Sequence, residues 1–117
     1  MSDSKSQSGQ RRTILGVVVH PLAILLGVFA AGPAYLLSNA EFSKANARNA
    51  LNWQLFFLGA LFVLLVALFG VGADLVSVIA GFLILGLFAV DTVFSLYATY
   101  RATVGDAWAY PLAPDIV

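Results

Sequence analysis

The sequence contains no cysteine. That excludes disulfides, thiolate metal sites and cysteine nucleophiles. Charge is scarce too: six Lys or Arg and six Asp or Glu among 117 residues, for a net charge of zero. No basic field for nucleic acid exists, and no nucleic-acid motif is present. A Ser/His/Asp spacing, an HExxH motif and a glycine-rich phosphate loop are all missing. No catalytic set, cofactor or metal site is therefore expected, and the chain reads as not an enzyme. What remains is apolar. Hydrophobic residues make up 61% of the chain and charged ones 10%, against about half and about a quarter in an ordinary soluble domain. A chain this short has too little interior to hide that much apolar surface from water. The class that follows is an all-α integral membrane protein whose first partner is the lipid bilayer.

A helix needs about 20 apolar residues to cross roughly 30 Å of hydrocarbon. Three stretches qualify, which predicts three transmembrane helices over about 14–38, 50–71 and 75–100. They form a single membrane domain, 14–117, after a polar, serine-rich tail over 1–13 that is expected to be disordered. Residues 105–117 form a C-terminal tail. The first apolar run is too long for the core of a cleaved signal peptide, about 7–15 residues. Pro21 and Pro33 each remove a backbone donor and are expected to bend that span. The "GVGAD" turn, Gly70 to Asp74, joins the second and third spans as a tight antiparallel hairpin. Trp53, Phe56 and Phe57 on the second span, with Tyr97 and Tyr100 on the third, read as an interfacial aromatic belt.

With three spans the basic residues divide evenly. Lys5, Arg11 and Arg12 stand on one side, Lys44, Arg48 and Arg101 on the other. Lys5 is the most distant from a span. The 38–50 loop and the C-terminus are accordingly expected in the cytoplasm, in a multi-pass protein of the cell membrane.

The stretch "NARNALNWQ", Asn46 to Gln54, carries amides up to and into the second apolar run. On a helix, Glu41, Lys44, Arg48 and Asn52 share one face. Phe42, Asn49 and Trp53 share another, with Asn46 beside them. This pattern predicts an interfacial amphipathic helix over about 41–50, continuous with the second span. Asn52 and Gln54 then lie at or just inside the hydrocarbon boundary and need partners. Each span also presents a stripe of small or polar residues. These are Gly16, His20, Gly27, Ala31 and Ala34 in the first, and Asn52, Gly59, Val63, Val66 and Gly70 in the second. In the third they are Ser77, Gly81, Phe88, Asp91, Ser95 and Thr99. Such stripes allow close helix approach and are expected to pack inward.

Asp91 and His20 are the ionisable residues inside the predicted spans. A carboxylate at the depth of Asp91 costs a few kcal/mol even on lenient insertion scales, about 2.5–3.5 at a helix centre. It reads either as a proton or cation site, or as a protonated carboxyl bonded to Asn52 or Gln54. His20, followed by Pro21, reads as a cap or interfacial residue. Three spans place it toward the opposite end from Asp91, too far to pair.

Three pieces of the chain carry a resemblance. They are "HPLAILLGVFAAGPAYLL" (His20 to Leu37), "EFSKANARNALNWQ" (Glu41 to Gln54) and "GDAWAYPL" (Gly105 to Leu112). Together they resemble a small prokaryotic membrane-domain family of unknown function that is similar to the chloroplast Tic-twenty protein-import component. The resemblance runs from about His20 onward, and "ALNWQ" is its most specific part. It departs at Asn46, where family members often carry histidine, and at Asp91, where an apolar residue is expected. What it implies is a three-span helical membrane protein, with protein translocation as an analogy at the level of fold.

Two functional readings follow. In the first the chain is a non-enzymatic subunit or scaffold of a membrane complex, with Asn46, Arg48, Asn49, Asn52 and Gln54 facing a partner and "WAYPL" ordering the tail. In the second it is a homo-oligomeric channel or transport component, with Asp91, Ser95 and Thr99 lining the path.

Overall fold

In the computed structural model, which describes residues 13–117, Thr13 caps the first helix. Its hydroxyl accepts the Gly16 N–H at 3.0 Å, filling one of the donors that a helix start leaves open. Four helices follow: α1 (Ile14–Leu26), α2 (Val28–Leu37), α3 (Glu41–Gly70) and α4 (Asp74–Thr103). No strand occurs among the described residues. Among the described residues, α3 and α4, 30 residues each, are the two helices long and apolar enough to cross a membrane. α3 takes in both the amide-rich stretch and the apolar run without a break, so the interfacial helix and the second span are one element.

The first apolar stretch is not one bent helix. It breaks at Gly27, whose φ of 57° and ψ of −130° suit glycine and strain any L side chain. The backbone groups at the break are satisfied locally. Gly27 N–H donates to Ala23 O at 2.8 Å, and Gly27 O accepts from Ala30 and Ala31 N–H at 3.1 Å each. Neither proline causes the break: Pro21 sits inside α1 and Pro33 inside α2. The chain doubles back as a helical hairpin beside the N-terminal half of α3. Thr13 and Ser43 bond through their hydroxyls. At the other end of the hairpin, Lys44 Nζ donates to Tyr35 O at 3.3 Å and lies 4.7 Å from the Tyr35 ring centre. With 13 and 10 residues, α1 and α2 are about 20 and 15 Å long, each well short of the roughly 30 Å of a bilayer core.

The "GVGAD" turn forms as expected, with Gly72 at φ 80° between the ends of α3 and α4. The C-terminal end of α4 stops with Gly105 at φ 94°, while Arg101 O accepts the N–H groups of Val104 and Asp106. An Arg101–Asp106 ion pair at 2.9 Å fixes the start of the tail, which then packs back over the bundle.

Two apolar clusters result, both at the end where the hairpin lies. One joins Val19, Ala31, Ala34, Ala47, Ala50 and Leu51 across α1, α2 and α3. The other joins Trp53, Phe57 and Ala98 to Tyr110 of the tail. Small residues make this packing possible: a Cβ on Gly16 would lie 2.5 Å from the Phe42 ring. The far half of α3 and α4 has no third helix against it. The stripe expected to pack inward there points outward instead, with Val63 and Val66 exposed and open space beside Gly59 and Gly81. The aromatic belt is also redistributed. Trp53 and Phe57 are buried, while Tyr97 and Tyr100 remain exposed.

Candidate functional site

The buried polar residues gather at the hairpin end of the bundle. His20, on the inner face of α1, is fully buried. Its Nε2 lies 2.8 Å from Asn46 Oδ1, and its Nδ1 lies 2.6 Å from the Tyr110 hydroxyl. Asn46 Nδ2 donates to Phe42 O at 3.0 Å, so Oδ1 is the acceptor that faces the ring. The imidazole then carries its proton on Nε2, donates to Asn46, and accepts from Tyr110 at Nδ1. Burial holds the Tyr110 phenol above its ordinary range, which keeps it a donor.

Tyr110 also stacks on Trp53, with ring centres 5.7 Å apart and planes at 15°. Trp53 Nε1 donates to Asp91 Oδ1 at 2.7 Å, and Gln54 Nε2 donates to the same oxygen at 3.1 Å. Ser95, one helical turn beyond Asp91, lies beside both the Asp91 carboxyl and the Tyr110 hydroxyl. Its own buried hydroxyl makes no bond of good geometry to either. A continuous series of side chains therefore runs from Asn46 through His20, Tyr110 and Trp53 to Asp91 and Gln54. It ties together α1, α3, α4 and the tail.

Asn52 does separate work. Its Oδ1 accepts the N–H groups of Ile116 and Val117 at 2.9 and 2.8 Å and pins the end of the tail. Asp91 is thus bonded to Gln54 and Trp53, not to Asn52. The two ionisable residues stand at the same end of the molecule, contrary to the separation expected from a first span that crosses the membrane. They do not touch; Tyr110 and Trp53 stand between them.

Of the residues singled out in the sequence, Asn46, Asn52, Gln54, Asp91 and Ser95 are buried and face one another or the tail. Thr99 bonds back to Ser95 O in its own helix at 2.7 Å. Arg48 is exposed and Asn49 half-buried. With Asp115 and Val117 they line a polar cleft of about 320 Å³ at the surface. Tyr110 is the member of the chain that residue patterns left out. Its signal was "WAYPL", two aromatics in a short segment otherwise free of apolar periodicity. Trp108 of the same segment packs edge-on against Phe94 and Tyr97, with ring centres 5.8 and 4.8 Å away.

Among the described residues no group of three His, Asp or Glu could hold a metal ion. A second cleft, about 330 Å³, lies at the hairpin tip between Ala23–Phe29 and Gln54, Phe57, Phe88 and Asp91, with mainly apolar walls.

Fold and site together define a small all-helical chain, with two helices fit to cross a bilayer and its polar groups locked at one end. The chain belongs to the MamF/MmsF family, the magnetosome magnetite crystal formation protein family, whose model matches residues 11–117. This corrects the resemblance to Tic-twenty-like proteins: the match covers nearly the whole chain, including the pieces on which that resemblance was read. Comparison with curated proteins and with solved structures gave no match.

Proposed function

We propose that this chain is a non-enzymatic membrane protein of the magnetosome that serves magnetite crystal formation as a subunit or scaffold. α3 and α4 cross the membrane, and the α1–α2 hairpin packs against one end of them. The observation that carries this reading is how the polar groups are spent. His20, Asn46, Asn52, Gln54 and Asp91 are all occupied in holding the chain's own elements together. Asp91 accepts both of its bonds at Oδ1, so even this carboxyl is engaged in joining α3 to α4. What the surface offers is Arg48 and Asn49 beside Asp115. A charged, amide-bearing cleft of that kind suits another protein.

A conducting path along a single chain has less support. From Gln54 to Gly70, α3 rises about 24 Å. Between those two residues, and along α4 from Leu75 to Val90, the polar side chain is Ser77, which bonds to Leu68 O. Assembly with further helices is favoured by Gly59, Gly81 and Gly86, which face open space.

The test is photocrosslinking in the native membrane from a probe at Asn49, followed by identification of the captured species and by imaging of the crystals. A recurrent foreign protein, together with altered crystals on Arg48→Ala, supports the subunit reading. Capture of lipid alone, with normal crystals in that variant, counts against it.

A further inference from the structure

The α1–α2 hairpin changes which side of the membrane each segment occupies. Its two ends lie beside the first turn of α3, through Thr13 with Ser43 and Tyr35 with Lys44. Its tip, at Gly27, reaches the level of Gln54, whose Oε1 would lie 3.4 Å from a Cβ there. The chain enters, descends to that level and returns on the same side. The tip stops about 24 Å short of the far end of α3. A non-helical residue at membrane depth is tolerated where its backbone groups are paired within the protein. Gly27 meets that condition through Ala23, Ala30 and Ala31.

The basic residues follow the same division. Lys44, Arg48 and Arg101 lie at the hairpin end of α3 and α4, and Lys5, Arg11 and Arg12 precede Thr13 in sequence. At the other end, Val71 to Asp74 carries Asp74 and no Lys or Arg. Among the described residues, all three Lys or Arg side chains, Lys44, Arg48 and Arg101, stand at the hairpin end and none at the other. Asn52 holds residues 116 and 117 at the basic end as well.

We infer that the chain inserts as two spans with a re-entrant hairpin. The residues before Thr13, the 38–49 segment and the C-terminal segment share the cytoplasmic side, and the 71–73 turn faces the compartment. Basic residues near span ends are retained in the cytoplasm, and here they give one orientation. The interaction surface with Arg48, Asn49 and Asp115 is then met from the cytoplasm. The mineral side receives little more than a three-residue turn, so the chain influences the crystal through a partner reached from the cytoplasm or within the membrane. This last step rests on the scaffold reading above; the topology does not.

The absence of native cysteine makes the test direct. Single cysteines are placed at Ser8, Glu41, Val71 and Asp115 in turn, and sealed, isolated magnetosomes are treated with a membrane-impermeant maleimide before and after detergent. The expected result is labelling of Ser8→Cys, Glu41→Cys and Asp115→Cys without detergent, and of Val71→Cys only with it. If Ser8→Cys and Val71→Cys behave alike and opposite to Glu41→Cys, the chain has three spans and the proposal is overturned. If the first three are protected and Val71→Cys is labelled, the re-entrant hairpin stands and the cytoplasmic orientation is overturned. Labelling reports topology whether or not a partner binds, so a failure here is distinct from a failure of the Asn49 crosslinking.

Discussion

The Tyr110 hydroxyl lies 2.6 Å from His20 Nδ1, across ninety residues of sequence. This contact joins the first described helix to the tail, and it shares a ring stack with Trp53. Through Trp53 it reaches Asp91. The polar end is therefore one unit, and substitutions in it should act together.

Tyr110→Phe keeps the stack on Trp53 and removes the donor to His20. The buried His20 Nδ1 is then left without its donor, which should cost about 1–3 kcal/mol. Tyr110→Ala also removes a buried ring and should cost about 3–5 kcal/mol. Thermal unfolding in detergent micelles should rank wild type above Phe and Phe above Ala. Equal loss in both variants would show that the stack contributes nothing.

Asp91 accepts from two neutral donors on α3. Asp91→Asn retains an acceptor oxygen and should leave the fold assembled. Asp91→Leu strands Trp53 Nε1 and Gln54 Nε2, at about 1–3 kcal/mol each. Trp53 fluorescence and unfolding midpoint should change little in the first and strongly in the second. Unfolding of the Asn variant would mean that the charge itself is required.

Gly27→Ala places a Cβ on a backbone at φ 57° and ψ −130°, which should cost about 1–3 kcal/mol. Pro21→Ala should cost less, because α1 already continues through Pro21. The opposite ranking of these two variants in unfolding experiments would place the break at the proline.

Asn52→Ala frees the N–H groups of Ile116 and Val117. A cysteine at Ala113 should then label faster with a soluble maleimide, while the α3–α4 pair stays folded. An unchanged rate would mean that Tyr110 and Trp108 alone hold the tail.

Much of this end was legible in the sequence. Apolar runs of helical length, the later one interrupted only by Asp91, mark α3 and α4, and two glycines next to Asp74 mark their turn. Depth alone says that the amides need partners, and of the two offered for Asp91, Gln54 bonds to it and Asn52 does not. The partner of Asn52 was not legible, because it is a backbone in the tail and leaves no side-chain pattern. Gly27 was read as a packing glycine. Nothing local separates a glycine in a helix from one at φ 57°, and the two prolines drew attention elsewhere. Reading through Gly27 as helix is what sets His20 apart from Asp91, whereas the break brings both to one end. The outward stripe on the far half of α3 and α4 shows a second limit: small residues mark where a helix can approach, not whether this chain supplies that helix.

The central claim is that the first apolar stretch is a hairpin, and one distance tests it. Spin labels at Ile14 and Leu36, both exposed, can be measured by pulsed electron resonance in lipid bilayers. A doubled-back chain puts both at the Ser43–Lys44 end of α3, well under 25 Å apart on the scale of packed helices about 10 Å between axes. A single helix separates them by about 33 Å. A narrow distribution at the short distance is the predicted result; one centred on the long distance contradicts the hairpin, and with it the shared side of the basic residues.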